Sequence, residues 1–152
     1  MKFEKTNIEN FYIIRPELLS DSRGIFRRHF CKKKFSDIGI NFNVMQGNIS
    51  ENFKVSTLRG FHYNDIPSKE DKLLSCIAGS AWNITIDVRK RSPTYLKKIE
   101  LELSSKNKYS VYIPAGCANA FLTLKDNTFF HYYMGDYFKP KKDNGFRFDD
   151  PL

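Results

Sequence analysis

The stretch Trp82-Asn83-Ile84-Thr85-Ile86-Asp87-Val88-Arg89 decides the fold class, because apolar and polar residues alternate along its whole length. A period of two is typical of a β-strand with one face in the core. The segment from Ile99 to Leu103 repeats the pattern, with Glu100 and Glu102 between its apolar positions. Both segments therefore predict strands.

Short candidate strands fill most of the remaining chain, and turn-forming residues separate them. Only the segment from Cys31 to Ile38 has a helical pattern, and it is short. Many short strands without alternating helices predict an all-β sandwich or barrel, with a jelly roll as the favoured architecture. The further candidate strands are residues 11–14, 25–30, 44–50, 55–63, 72–77, 109–113, 118–124 and 128–134.

Length and composition indicate one domain over residues 1–152. Fourteen Phe and eight Tyr are many for this length, and we expect most of them to fill the space between two sheets. Cys31, Cys76 and Cys117 are odd in number and lack C-x-x-C spacing, so neither a disulfide framework nor a zinc site is predicted. The amino terminus lacks an apolar signal sequence and no segment has the length of a membrane span, so we expect a cytoplasmic protein.

The formal net charge of +8 fits an acidic partner, which can be nucleic acid, an acidic membrane surface or a phosphorylated small molecule. A charged surface that aids solubility is the simpler explanation of any single basic cluster. The basic residues are scattered through the chain and accompany no nucleic-acid-binding motif. We therefore predict neither a nucleic-acid nor a membrane partner. A nucleic-acid binder would instead show salt-sensitive affinity for oligonucleotides.

The stretch from Thr57 to Asn64, Thr-Leu-Arg-Gly-Phe-His-Tyr-Asn, combines a guanidinium, an imidazole and two aromatic rings within eight residues. A site that binds an anion and also moves a proton needs both a permanent cation and a group that titrates near neutral pH. In a regular strand, Arg59 and His62 would point to opposite faces. A shared pocket therefore requires a bulge between them, and we place it at Gly60.

The order of motifs along nearly the whole chain resembles the dTDP-4-dehydrorhamnose 3,5-epimerases, which are cupin-type jelly rolls that act on nucleotide-linked 4-keto sugars. Any one of these motifs would be a weak indication, whereas the ordered set is strong. The matching pieces are Asp21-Ser22-Arg23-Gly24-Ile25-Phe26, Gln46-Gly47-Asn48-Ile49-Ser50, Leu58-Arg59-Gly60-Phe61-His62-Tyr63, Lys72-Leu73, Ile86-Asp87-Val88-Arg89, Ser92-Pro93-Thr94, Ile113-Pro114-Ala115-Gly116, residues 132–137 and Asp149-Asp150-Pro151.

The resemblance implies an isomerase that takes a proton from C3 and/or C5 next to the ketone of a 4-keto-6-deoxy sugar, in deoxysugar and polysaccharide biosynthesis. It makes His62 the base, Tyr132 the acid on the opposite face, and Lys72 a cation near the developing oxyanion or the diphosphate. No cofactor is implied, and three His without a His-x-His pair predict no metal site. A homodimer is implied, because the family exchanges an amino-terminal strand. The substrate-binding residues so implied are Arg23, Phe26, Gln46, Asn48, Arg59, Asn119 and Tyr137.

Simpler interpretations of these residues are structural. His62 can be a hydrogen-bonded structural residue, Tyr132 can pack in an aromatic core, and Lys72 and Arg59 can be surface ion-pair partners, which contribute little to stability. His29 and His131 do not fall on catalytic positions of the family, and we interpret them as structural.

The chain departs from the family pattern at several positions. Asn119 replaces a His, Asn83 an acidic residue, Arg28 a Glu and Asn64 a Gln. The family continues past its Asp-Pro with a segment whose Asp orients the catalytic His, and we expect this chain to lack it; Asp87 and Asp65 are the nearest alternatives in sequence. A lost carboxylate partner weakens a catalytic imidazole. We therefore expect epimerisation at one carbon rather than two, with a non-catalytic sugar-nucleotide-binding cupin or an inactive partner subunit as the alternative.

Overall fold

A computed structural model describes residues 1–65, 67–139 and 143–151, except for the side chain of residue 143. These residues form short strands and one short helix, as the sequence predicts. The elements are β1 (Lys2–Lys5), β2 (Tyr12–Arg15), β3 (Leu18–Asp21), β4 (Gly24–Arg27), α1 (Lys32–Asp37), β5 (Gln46–Asn52), β6 (Leu58–Asn64), β7 (Lys72–Ala78), β8 (Ser80–Asp87), β9 (Lys98–Ser104), β10 (Ser110–Ile113), β11 (Cys117–Thr123), β12 (Thr128–Met134) and β13 (Asp143–Gly145).

Two antiparallel sheets face each other. The six-stranded sheet has the order β1-β2-β10-β7-β12-β5, and the five-stranded sheet has the order β13-β6-β11-β8-β9. Between them lies an apolar core that includes Leu74 of β7, Phe130 of β12, Phe121 of β11 and Leu103 of β9. Helix α1 covers the outer face of the six-stranded sheet through Phe35. The predicted all-β sandwich of the cupin type is confirmed.

The strands β3 and β4 form a separate hairpin that pairs with neither sheet. Its apolar side chains are exposed, and Leu19 and Phe26 keep 61% and 64% of their surface. The predicted strand over residues 25–30 is shorter in the structure, because pairing with β3 ends at Arg27. β1, β3 and β13 were not predicted, because none of them has a repeated apolar alternation and each is defined by its pairing partner.

The strand predicted over Trp82 to Arg89 is confirmed as β8, but its interior face is the polar one. Asn83, Thr85 and Asp87 are fully buried, whereas Trp82 is 39% exposed. Alternation shows that a strand has two faces without showing which of them lies inside. Ile84 and Ile86 of β8 instead belong to a cluster on the outer face of the sheet, made of Phe61, Tyr63, Ile84, Ile86, Val88, Ala118, Ala120 and Phe146.

Candidate active site

A cavity of about 440 Å³ lies between the two sheets. The six-stranded sheet contributes one wall through β5, β7 and β12, and the five-stranded sheet contributes the opposite wall through β6 and β11. Both walls carry polar and charged side chains, which suits a polar ligand. The lining residues are Gln46, Asn48, Ser50, Arg59, His62, Glu70, Lys72, Leu74, Ile113, Asn119, Phe121, Tyr132, Met134 and Phe138.

Arg59 and His62 reach the same cavity because β6 contains a bulge. Asn119 of β11 pairs with His62 and Phe121 pairs with Arg59, so three steps along β6 oppose two along β11. Gly60 lies inside the bulge with φ +111°, and a Cβ there would lie 2.5 Å from the carbonyl oxygen of Asn119. Only glycine fits this position. The predicted bulge at Gly60 is confirmed.

A buried amide fixes Arg59 at the cavity. The Nε of Arg59 donates to the Oδ1 of Asn52 at 2.6 Å. Asn52 is itself 2% exposed, and its Nδ2 donates to the carbonyl oxygen of Thr128 at 2.9 Å. The guanidinium is therefore oriented from behind by a side chain that has little freedom to move.

Lys72 is the first residue of β7, and its ammonium faces a buried carboxylate. The Nζ lies 2.9 Å from Oε1 of Glu70, and the two side chains keep 20% and 5% of their surface. The interpretation of Lys72 as a surface ion-pair partner is therefore wrong. The pair forms part of the cavity wall, where removing one partner leaves an uncompensated charge.

Tyr132 lies in the middle of β12, between Asn48 of β5 and Leu74 of β7. Burial raises the pKa of its hydroxyl above the ordinary value, Arg59 lowers that pKa and Glu70 raises it, with a net upward shift. The hydroxyl is thus protonated at neutral pH and able to donate a proton. Its wall faces the one that carries His62, so a ligand between the sheets has the imidazole on one side and the phenol on the other.

Asn119 lines the cavity beside His62, and the buried polar face of β8 supports it. The Thr85 hydroxyl donates to Oδ1 of Asn119 at 2.7 Å, and Nδ2 of Asn83 lies 3.5 Å from the Thr85 oxygen. Asn48, on the other wall, donates through Nδ2 to the sulfur of Met134 at 3.1 Å. These neutral amides complete the polar lining of the cavity.

Comparison with known proteins agrees with this geometry. Residues 5–152 match the sequence model of the family described as dTDP-4-dehydrorhamnose 3,5-epimerase. The enzyme of that name from Sinorhizobium fredii is 34% identical over 99% of this chain and 77% of its own length. The chain belongs to the dTDP-4-dehydrorhamnose 3,5-epimerase family. It is therefore an isomerase, and the predicted class of sugar-nucleotide epimerase is confirmed.

Solved structures of this epimerase family superpose closely. The enzyme from Legionella pneumophila, crystallised with dTDP-4-keto-L-rhamnose, has a TM-score of 0.91 and 32% identity over 99% of this chain and 79% of its own. A 3'-monoepimerase from Streptomyces bikiniensis, in complex with dTDP-quinovose, has a TM-score of 0.90 and 29% identity over 96% of this chain and 74% of its own. The 3,5-epimerase and the 3'-monoepimerase therefore share the fold described above.

The cavity of this epimerase brings together most of the predicted site residues, but three lie elsewhere in the single chain. Arg23 and Phe26 lie on the exposed β3–β4 hairpin, where Arg23 pairs with Asp21. Tyr137 follows β12 and is 57% exposed, and the next residue, Phe138, lines the cavity instead. The residues that the cavity does bring together are His62, Lys72, Tyr132, Gln46, Asn48, Arg59 and Asn119.

Sequence reasoning missed several residues of this region of the epimerase, four of which bear on the proposal. Glu70, Ser50 and Phe138 line the cavity, and Asn52 orients Arg59. Glu70 precedes Lys72 by two residues in a segment without periodicity, so nothing in the pattern distinguishes it. Asn52 lies outside the predicted strand of residues 44–50, whereas β5 continues to Asn52.

Asp87 and Asp65, the two alternatives to the family's carboxylate that orients the catalytic His, have other partners in the epimerase. Burial alone would raise the pKa of Asp87, but hydrogen bonds from Arg89, Ser92 and Thr94 outweigh it and lower the pKa to about 2. Asp65 accepts a hydrogen bond from Nδ2 of Asn144 at 2.7 Å. Asp87 is therefore engaged within its own turn, as a structural anchor for the segment that follows β8.

His29 and His131 lie on the outer face of the six-stranded sheet of the epimerase. Nδ1 of His131 is 3.1 Å from Nε2 of His29, and the Ser75 hydroxyl is 3.4 Å from the other nitrogen of His29. Within the described part of the chain, no three His, Cys, Asp or Glu side chains are grouped as metal ligands, and no helix has the length and apolarity to cross a membrane.

Proposed function

We propose that this epimerase deprotonates and reprotonates a carbon next to the ketone of a dTDP-linked 4-keto-6-deoxy sugar, with His62 as the base and Tyr132 as the acid. The observation that carries the proposal is that these two side chains line opposite walls of one cavity. Inversion at carbon requires that the proton leave one face and return to the other. A base and an acid on facing sheets supply that arrangement.

The cations of the cavity stabilise the intermediate. Removing a proton next to a ketone places negative charge on the ketone oxygen, and Lys72 on the wall of Tyr132 provides a fixed positive charge for it. Arg59, held by Asn52, provides the fork of donors that suits a diphosphate. Each well-placed donor contributes ~3 kcal/mol of transition-state stabilisation. Gln46, Asn48 and Asn119 then orient the polar groups of the sugar.

A homodimer completes the site. Arg23 and Phe26 are carried by a hairpin that is paired with neither sheet and exposes its apolar side chains, as expected of an arm that packs on a second subunit. In the dimer, Phe26 contacts the base of the nucleotide and Arg23 contacts a phosphate of the neighbouring site. Tyr137, next to the cavity-lining Phe138, is an aromatic surface for the same nucleotide.

Residues 1–152 act as one cupin domain. Its three cysteines are free thiols, two of them buried, which agrees with the reduced environment of the cytoplasm. Epimerisation takes place at one carbon, as in the 3'-monoepimerase that the chain resembles.

Exchange of substrate protons with heavy water tests this function. Candidate dTDP-linked 4-keto sugars are incubated with the protein in heavy water, and deuterium at C3 and C5 is followed by NMR. We expect incorporation at one carbon with the wild type and its loss with His62→Ala, while His131→Gln, outside the cavity, retains it. A non-catalytic sugar-nucleotide-binding protein would bind dTDP and show no exchange with any of the sugars.

A further inference from the structure

Glu70 is a buried acidic residue in a cavity that otherwise collects positive charge. Its side chain is 5% exposed, and it lies in the segment that connects β6 to β7. Each carboxylate oxygen has a partner: Oε1 lies 2.9 Å from Nζ of Lys72, and Oε2 accepts a hydrogen bond from Nδ2 of Asn64. The roles proposed above leave this carboxylate without a function.

The two partners of Glu70 belong to different sheets. Asn64 is the last residue of β6 in the five-stranded sheet, and it shares a face of that strand with His62, two positions earlier. Lys72 is the first residue of β7 in the six-stranded sheet, directly opposite Met134 of β12. Glu70 thus connects the wall that carries the base to the wall that carries the acid.

The side chain of Asn64 is oriented by its hydrogen bond to Glu70. It is 6% exposed, and its Oδ1 has no hydrogen-bond partner among the residues that the structure describes. Turned the other way, the amide would place its oxygen against the carboxylate oxygen of Glu70, so the bond from Nδ2 to Glu70 sets its orientation. The backbone nitrogen of Glu70 donates in turn to the hydroxyl of Ser68 at 3.2 Å, which anchors the connecting segment.

We propose that Glu70 is a positioning residue of the epimerase: it holds the ammonium of Lys72 at the cavity wall and ties that wall to the strand of His62. This inference rests on the proposed function. Lysine has a flexible stem of four carbons, and a charged partner at 2.9 Å restricts it to one position. The ammonium is then already in place when negative charge develops on the ketone oxygen, which is how preorganised charges accelerate such steps.

The carboxylate also acts on Tyr132 through its charge. Among the residues that the structure describes, the titratable and charged groups that share the cavity with Tyr132 are Arg59 and His62 from β6, Lys72 from β7 and Glu70 from the connecting segment. β5 and β11 contribute only neutral side chains to the lining. Glu70 raises the pKa of Tyr132, against the effect of Arg59. Its loss therefore lowers that pKa and makes the acid deprotonate at lower pH.

The test is a comparison of Glu70→Gln with Glu102→Gln. Glu102 lies on β9 outside the cavity lining and accepts a hydrogen bond from Ser80, so its substitution removes the same charge from a different place. We expect Glu70→Gln to lower kcat by ~10-fold, to change KM by less than ~3-fold and to shift the alkaline limb of the kcat profile to lower pH. Glu102→Gln should match the wild type in kcat, in KM and in the position of the alkaline limb. Wild-type kinetics and an unshifted alkaline limb in Glu70→Gln would overturn the proposal.

A double-mutant cycle separates this inference from the proposed function. Glu70→Gln, Lys72→Met and the double variant are compared by thermal unfolding, which requires no substrate. Because both substitutions break the same contact, the double variant should lose less in Tm than the sum of the two single losses. Strictly additive losses would overturn the inference even if the wild type is active. Should the wild type exchange no deuterium, the proposed function fails, and non-additive losses would still support Glu70 as the residue that positions Lys72.

Discussion

The cavity and the β3–β4 hairpin both carry predicted site residues, yet the chain builds them in opposite ways. In the cavity, each proposed catalytic residue lies on a strand of one of the two main sheets, and neighbours such as Asn52 and Glu70 orient the cations. In the hairpin, Arg23 and Phe26 lie on two strands that pair only with each other. Under the proposed function, one chain supplies the chemistry of the site, and binding of the nucleotide depends on the exposed hairpin.

This division predicts two kinds of mutational effect. Changes in the cavity should reduce the chemical step or the folding of the sandwich, because the side chains there are fixed by packing. Changes in the hairpin should reduce binding of the nucleotide and association of subunits, and leave the chemistry intact.

Gly60→Ala should be the most damaging change on the cavity side. Its Cβ would lie 2.5 Å from the carbonyl oxygen of Asn119, so the bulge that turns Arg59 and His62 into one cavity must rearrange. We expect a loss of about 3 kcal/mol in the free energy of unfolding, measured with urea, and a loss of exchange activity. Gly47→Ala is the control, because its Cβ would meet only the ring of Tyr133, at 3.3 Å. An equal loss in both variants would contradict a special role of the bulge.

A mixing experiment tests the hairpin side. Arg23→Ala should raise KM ~10-fold, because it removes a charged contact to a phosphate. In the experiment, His62→Ala and Arg23→Ala subunits are unfolded together, refolded as a mixture and assayed at low substrate concentration. If the site is shared between subunits, the mixture should recover about a quarter of wild-type activity. Half of the dimers are then mixed, and each of these has one intact site. Activity no higher than that of the Arg23→Ala protein alone would show that each chain binds its own substrate.

The smallest expected effect concerns the contact of His29, next to the hairpin, with the outer face of the six-stranded sheet. His29 follows β4, contacts His131 of β12, and its pKa is lowered to about 4 by burial, by His131 and by Arg27. The unfolded chain binds a proton near pH 6.5, so this group contributes stability that is present above that pH and is lost as the pH falls through about 4. We expect the Tm of the wild type to fall more steeply than that of His29→Gln over this range. Parallel curves would contradict the burial of His29 against His131.

Much of this molecule is predictable from its sequence, and the exceptions have physical causes. The glycine between Arg59 and His62 predicts the bulge, because two residues three apart on a strand can share a pocket in no simpler way. The inward face of β8 was not predictable, because alternation is the same for either orientation and an outer apolar cluster covers the other face. Glu70 was not predictable, because its importance arises from two contacts that exist only after the sheets have met.

The strand β3 of the hairpin was not predictable for a related physical reason. The four residues of β3 are all exposed, so in this chain they lack the burial that makes a strand recognisable from its pattern. The family resemblance supplied Arg23 and Phe26 as binding residues, whereas the single chain places them away from the cavity. What the sequence pattern alone predicts well is therefore the part of the site that one chain builds from paired strands.

Under the proposed function, His62 and Tyr132 act from opposite faces of the sugar, and the variant Tyr132→Phe in heavy water separates proton removal from inversion. Deuterium content and configuration at the reacting carbon are measured in the same sample by NMR. With the acid removed, His62 can still take the proton and return deuterium to the face it left, so we expect exchange without inversion. Exchange with inversion at the wild-type rate would contradict it, because the proton would then reach the opposite face without Tyr132.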